Sequence, residues 1–225
     1  MKEMKKKFFL RTWFLVTSAT IFVFLVIISG ICIWFYGSVF RVSRSQVMQE
    51  LSSKKSLCET LNTCSILPGD ILIRKYMTQR IQYIDKPLNI FFTHAAFYLG
   101  DGKLFEVFGP EKNSNDDIQI LELSKSDWLN SDITNFMIIR PKKYSETLET
   151  IKKTLTYIAN DSNYRFGLPF LGPQRVTCAD VIFDQLNKNG VVHVQDIPRI
   201  VTPDYLFWLA IHSPNDFEIV GFHVQ

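Results

Sequence analysis

The chain has 225 residues, 47% of them hydrophobic and 21% charged, and its 25 Lys and Arg against 22 Asp and Glu give a formal net charge of +3. Residues 1–40 hold five of the basic residues and one acid, which leaves 20 against 21, a net of −1, for the rest. The part after residue 40 therefore carries no basic excess of the kind nucleic acid requires, and no nucleic-acid partner is expected.

In chain order, the first element is a long apolar helix. No charged residue occurs from Thr12 to Phe40, and Ile21–Ile28 is unbroken apolar sequence. A bilayer span takes about 20 such residues. Trp13 stands near one end, and Trp34 and Tyr36 near the other, as in interfacial aromatic belts. Lys2, Lys5, Lys6, Lys7 and Arg11 precede the span. The positive-inside rule predicts residues 1–11 as a cytoplasmic N-terminus, 12–40 as a single-pass transmembrane anchor, and everything beyond Arg41 on the periplasmic or extracellular side. A cleaved signal peptide has a shorter apolar region, about 7–15 residues, and small residues at its cleavage site. Here Ile31, Cys32, Ile33 and Trp34 are mostly bulky, and Ile31 disfavours lipoprotein-type cleavage before Cys32. An uncleaved anchor is expected.

Residues 41–66 read as a polar stalk, with SRSQVMQELSSKKS at 43–56. Cys58 and Cys64 are close enough to pair across SLCETLNTCS if the compartment is oxidising. One domain is predicted over 67–225. It opens on the turn Leu67-Pro68-Gly69-Asp70 and the strand ILIRKY, followed by an irregular or helical excursion at 76–89. IFFTHAAFYL (90–99) and KLFEVFG (103–109) read as a hairpin about Gly100-Asp101-Gly102. An Asn/Asp-rich loop at 111–117 leads to the strand IQILEL, a helical turn at 124–130 and the strand FMIIR (136–140). A helix at 145–159 puts Leu148, Ile151, Leu155 and Ile158 on one face. A second helix starts near Cys178 and ends near Gly190, a third covers 203–211, and FEIVGFHV closes the chain as a strand. Strands framed by helices, without strict alternation, predict an α+β domain with an antiparallel sheet and helices packed on it.

The stretch RVTCADVIFDQL (175–186) raises the chemical question. Thr177 and Asp180 fit a capping box, so Thr177 is the expected N-cap and Cys178 the first helical residue. The positive end of a helix dipole favours a thiolate, although free cysteine is also among the most buried residue types. With Cys32 in the span and Cys58 near Cys64, Cys178 is the odd thiol, which must be buried or used in an oxidising compartment. Among His94, His193, His212 and His223, His94 stands out because it lies within an apolar strand. If the hairpin loop is Gly100-Asp101-Gly102, Leu99 pairs with Lys103 and Ala96 with Glu106. Glu106 is then a diagonal neighbour of His94 on the same face. A two-residue loop would put the two on opposite faces. Cys178, His94 and Glu106 make a consistent nucleophile, base and orienter.

The runs LPGDILI, THAAFYLGDGKLFEVFGP, TCADVIFDQLNKNG and TPDYL, in that order, resemble the permuted papain-fold cysteine hydrolases. These are the YiiX-like amidases of the NlpC superfamily, related to lecithin retinol acyltransferase-like proteins. The resemblance covers Leu67 to Leu209 and implies a papain-like, circularly permuted NlpC-type domain, with the histidine hairpin ahead of the cysteine helix. By that resemblance Cys178 matches the nucleophile, His94 the base and Glu106 the third polar residue. Gly69-Asp70 match the opening of the first core strand, and Thr202-Pro203-Asp204 the turn after the cysteine helix. The family more often has Ser-Glu after the cysteine, where this chain has Ala179-Asp180. After the histidine it often has an apolar residue and Gly, where this chain has Ala95-Ala96.

The expectation is a membrane-anchored, exported cysteine hydrolase that cleaves an amide or ester through an acyl-enzyme. Its substrate would be a cell-wall peptide, another peptide or a lipid. Asp180 in the first turn opposes thiolate formation, so His94 must dominate the activation. No cofactor and no metal are expected, because no Cys/His cluster has zinc-type spacing. The aromatics Phe91, Phe92, Phe97, Tyr98 and Phe108 around His94 are compatible with a lipid but are also ordinary core residues. The alternative is a catalytically inactive papain-like module that binds peptide or glycan at the membrane surface.

Overall fold

The structure, a computed structural model, describes residues 2–39, 42–55, 57–58, 60–75, 90–108, 117–129, 135–143, 146–194 and 197–224. The expected excursion at 76–89 and the loop at 111–116 lie outside the described residues. Two units are present, Met1–Val39 and Phe40–Gln225. The first is one helix, α1 (Lys2–Val39), within which Val16–Trp34 is long and apolar enough to cross a membrane, with mean hydropathy 2.5.

The second unit is α+β. Its main sheet has the order β4-β3-β2-β1-β5-β8, with every neighbouring pair antiparallel. The strands are β1 (Ile71–Arg74), β2 (His94–Gly100), β3 (Lys103–Val107), β4 (Ile118–Glu122), β5 (Asn135–Pro141) and β8 (Phe217–Val224). Two residues each of β6 (Arg165–Phe166) and β7 (Arg175–Val176) pair in parallel as a separate ladder. Among the described residues the helices of this unit are α2 (Arg44–Ser52), α3 (Leu148–Asn160), α4 (Cys178–Lys188) and α5 (Pro203–His212).

Both faces of the sheet are covered, so the central strands are apolar on both sides rather than alternating. One face, with Ile71, Ile73, Ala95, Phe97, Phe105 and Met137, packs against the buried stripes of the helices. On α3 that stripe is Ile151, Leu155 and Ile158, as its periodicity predicts. The opposite face, with Leu72, Ala96, Leu104, Phe136 and Ile138, packs on Leu61 and Trp128.

The segment expected to be a stalk is part of the folded unit. Val42, Val47 and Leu51 are buried in the helical core, and Leu61 is buried on the other face. The polar residues of Arg44–Ser52 lie on a short amphipathic helix whose Val47 and Leu51 are its buried residues. Cys58 and Cys64 form a disulfide. That loop lies against β8: a Cβ added at Gly221 would come within 3.0 Å of Cys64 Sγ and 2.6 Å of Ile138 Cδ1, so only glycine admits the approach.

The β2–β3 hairpin departs from the expected loop. Gly100, not Leu99, pairs with Lys103, and the turn is the two residues Asp101 and Gly102, both at positive φ (51° and 70°). Asp-Gly suits the tight turn that needs two such residues. An irregularity between Tyr98 and Gly100 takes up one residue, so Ala96 still faces Glu106. The register of a three-residue loop is thus reached by a two-residue turn plus a bulge, and His94 and Glu106 stay on one face.

The turn before β1 is fixed by Asp70, which is fully buried. It accepts the Leu67 amide at 2.7 Å and two hydrogen bonds of 2.8 Å from the Arg140 guanidinium on β5. Removing the carboxylate leaves the Leu67 amide without its acceptor and Arg140 with only Ser65 O at 2.9 Å and Glu218 at 3.8 Å. Asp70→Ala should lower unfolding stability by roughly 3–5 kcal/mol, read as a fall in the urea midpoint with an unchanged slope.

Candidate functional site

The chain places Cys178 as the first residue of α4, with Thr177 in extended conformation as its N-cap. Thr177 Oγ1 accepts the Asp180 amide at 3.3 Å. The reciprocal half of the expected capping box does not form. The Asp180 carboxylate instead accepts from the Thr177 hydroxyl at 2.5 Å and from the Val201 amide at 2.7 Å. Burial pushes Asp180 up to about 6, against those two hydrogen bonds. This acid is a brace between the start of α4 and the segment that leads into α5.

His94 is the first residue of β2, and Cys178 lies close enough to its imidazole to act on its titration. The ring's Nε2 lies 3.5 Å from Glu106 Oε1. Cys178, His94 and Glu106, 9%, 6% and 1% exposed, are therefore brought together. His94 and Glu106 lie on the sheet face that carries Ala96 and Leu104, whereas Cys178 belongs to the helical core on the opposite face. The contact is made at the end of the sheet, where β2 and α4 both begin. His193, His212 and His223 lie elsewhere: His212 stacks on Trp208 and His223 on Phe136.

Trp128, in the short turn Asp127–Leu129, completes the surroundings. Its indole Nε1–H donates to Glu106 Oε1, and its ring lies 5.8 Å from that of His94. Phe108 stacks on the imidazole at 5.1 Å. Across Trp128 sits the Arg74 guanidinium, 4.2 Å from the indole centroid and 3.6 Å from Asp127. Arg74 pairs in register with His94, so both side chains leave the same face.

Burial works to strip the charge from the His94 ring. The polar groups of Cys178 and Glu106 close beside it outweigh that effect and raise the imidazole from 6.5 to about 9. The ring is therefore built to hold a proton.

Asp204, in the first turn of α5, is fully buried and accepts the amides of Phe91 and Phe92 at 2.7 Å each. It thereby fixes the backbone just ahead of His94. Burial pushes it up to about 7, against those two donors. Sequence reasoning passed over Trp128 and Arg74 and gave Asp204 only a turn. Trp128 had one signal, as the sole aromatic between Phe108 and Phe136 in a polar stretch. Arg74 had none, because an arginine at a strand end is ordinarily exposed.

A cavity of about 660 Å³ lies beside this site rather than on it, between α3, α4 and the β6–β7 ladder, with Val176, Asp180 and Val181 in its wall. Among the described residues no group of three or more His, Cys, Asp or Glu side chains could hold a metal ion. Compared with family models, with curated proteins and with solved structures, the chain gives no match.

Two outcomes follow from this geometry. Because the folded His94 value lies above the unfolded one, its pairing stabilises the fold fully below pH 6.5, and that contribution is lost as pH rises to about 9. In His94→Gln, the decline of the denaturant midpoint across that window should flatten. Asp204→Ala should cost roughly 1–3 kcal/mol for each of the two stranded amides, and exchange of the Phe91 and Phe92 amides with solvent should quicken.

Proposed function

We propose that the chain is a cysteine hydrolase that works through Cys178, His94 and Glu106 on an amide or ester carbonyl. The observation that carries this reading is the convergence of Cys178 on an imidazole whose Nε2 lies 3.5 Å from a buried carboxylate. It is the nucleophile–base–orienter arrangement that thiol acyl transfer requires. The order of the motifs, with the histidine hairpin before the cysteine helix, supports a permuted papain-like fold of the NlpC type. The antiparallel sheet with helices on one face is consistent with it.

In the mechanism, His94 takes the Cys178 proton and Glu106 holds the imidazolium with Nε2 toward itself. The sulfur attacks the carbonyl carbon, forming a C–S bond and an oxyanion. The amides of Cys178 and Ala179, in the first turn of α4 and so without a carbonyl partner inside the helix, are the donors available to that charge. Collapse breaks the C–N or C–O bond, and His94 returns the proton to the departing amine or alcohol. Water, deprotonated by His94, then attacks the thioester, releasing the acid and the thiol. Asp180, which burial raises only to about 6, is still ionised at neutral pH and opposes the thiolate, so His94 must dominate the activation.

The domain is read as exported and held at a bilayer by Val16–Trp34, with the N-terminus cytoplasmic. The asymmetry of basic residues about the span and the Cys58–Cys64 disulfide support this topology. The substrate class is a cell-wall peptide, another peptide or a lipid.

The test is turnover of a fluorogenic amide and a p-nitrophenyl ester by the full chain in detergent, with iodoacetamide labelling in parallel. Cys178→Ala should abolish both turnover and labelling at that site, and His94→Ala should cost roughly 10²–10⁴-fold in turnover. Activity should decline as pH rises through about 9, where His94 loses its proton. Glu106→Gln should move that limb to lower pH, because it removes a group that raises the imidazole. Absent turnover, together with labelling indifferent to His94→Ala, would sink the hydrolase and leave a binding module.

A further inference from the structure

The loop that joins β6 to β7 carries Leu168, Phe170 and Leu171 at 37%, 51% and 68% exposure. Tyr157 and Ile197, also exposed, line the adjoining cavity together with Pro169 of this loop. Apolar side chains gathered in this way, rather than scattered singly, mark an interaction surface.

The loop is held in shape by its backbone. Arg165 N–H donates to Gln174 O and Gly167 N–H to Val176 O, both at 3.0 Å, closing its base. Leu171 N–H donates to Leu168 O at 2.9 Å and Arg175 N–H to Gly172 O at 3.0 Å, folding its tip. A stiff loop with a bare apolar tip pays little ordering entropy on binding.

Its charge is one-sided. From Ser162 to Val176 the only charged residues are Arg165 and Arg175, both exposed, in a part of the chain that is otherwise net negative. An apolar tip between two arginines matches an anionic lipid surface, whose headgroups meet the guanidinium groups while the side chains enter the acyl boundary. A folded unit tethered to a bilayer also meets that surface at high effective concentration.

We propose that residues 167–174 form a wedge that inserts into an anionic lipid surface. Only Arg175, Val176 and Thr177 separate this wedge from Cys178, so, on the hydrolase reading above, docking presents the nucleophile at the lipid boundary and points to substrates that carry an acyl chain. The proposal rests on the reading of α1 as a bilayer anchor.

The test uses the full chain reconstituted in phosphatidylcholine vesicles with brominated acyl chains, with and without phosphatidylglycerol. The quenching that Trp13→Phe/Trp34→Phe removes from the unmodified chain reports the anchor. That background carrying Leu171→Trp, read against the same background without it so that Trp128 and Trp208 cancel, reports the wedge, and Phe170→Trp repeats the readout should the first variant fold poorly. The expected result is blue-shifted, quenched emission in vesicles with phosphatidylglycerol. Arg165→Gln/Arg175→Gln should shift the docking equilibrium away from the lipid by roughly tenfold or more. Solvent-like, unquenched emission beside a quenched Trp13 and Trp34 would overturn the wedge and leave a protein as the occupant of the patch. Equal quenching without phosphatidylglycerol would overturn the anionic surface. Unquenched Trp13 and Trp34 would overturn the anchor, and the proposal with it.

Discussion

The contact between Cys178 and the His94 imidazole is the constraint on which the rest of the site depends, and no single element supplies it. The thiol is the first residue of a helix and the ring the first residue of a strand, and the two belong to opposite faces of the sheet. Only at the sheet's end can they meet. Any drift of α4 along the sheet by a residue's rise, about 1.5 Å, exceeds the few tenths of an ångström over which a proton can be shared between two groups.

Two buried carboxylates resist that drift. Asp180 joins the first turn of α4 to Val201, and Asp204, three residues farther on, joins the first turn of α5 to Phe91 and Phe92. The path from nucleophile to base thus runs through side chain-to-backbone bonds in the order Cys178, Asp180, Val201, Asp204, Phe92 and His94. Both acids are raised by burial, which measures what the fold spends to keep them inside. Asp70 performs the same service one strand over, where a guanidinium replaces the amides. The bracing uses carboxylates because one such group can accept from two or more donors that come from separate segments.

Much of this was legible from periodicity and punctuation. The stripe of Ile151, Leu155 and Ile158, the cap at Thr177, the stop at Gly190 and the β2–β3 partnership all follow from local rules. The face shared by His94 and Glu106 was also reached, though by the wrong turn: a bulge restored the register that the shorter loop would have shifted. What could not be read were features set by distant neighbours. Whether Val47 and Leu51 of a mostly polar helix find a core depends on α5 and the sheet, not on their own segment. A carboxylate three residues after a threonine looks like a capping box, and nothing local reveals that Val201 will claim it. Trp128 acquires its role only because β3 and the turn after β4 meet on the face opposite the helices.

The charges around the imidazole explain why its proton can stay in a place so poor in water. Arg74 lies over Trp128, Trp128 donates to Glu106, Glu106 flanks His94, and Cys178 adjoins His94. In the proposed mechanism this is a row of alternating sign: a cation screened by an indole, an anion, a cation and the developing thiolate. Each charge is opposed by its neighbour at short range, where low polarity strengthens the attraction as much as it penalises isolation. Desolvation alone would empty the ring of its proton. The two anionic partners reverse that outcome, so the burial that makes the site costly is also what makes the pairing strong. A water-filled cleft with the same three side chains would hold the imidazole near its ordinary value and give the thiol a weaker acceptor.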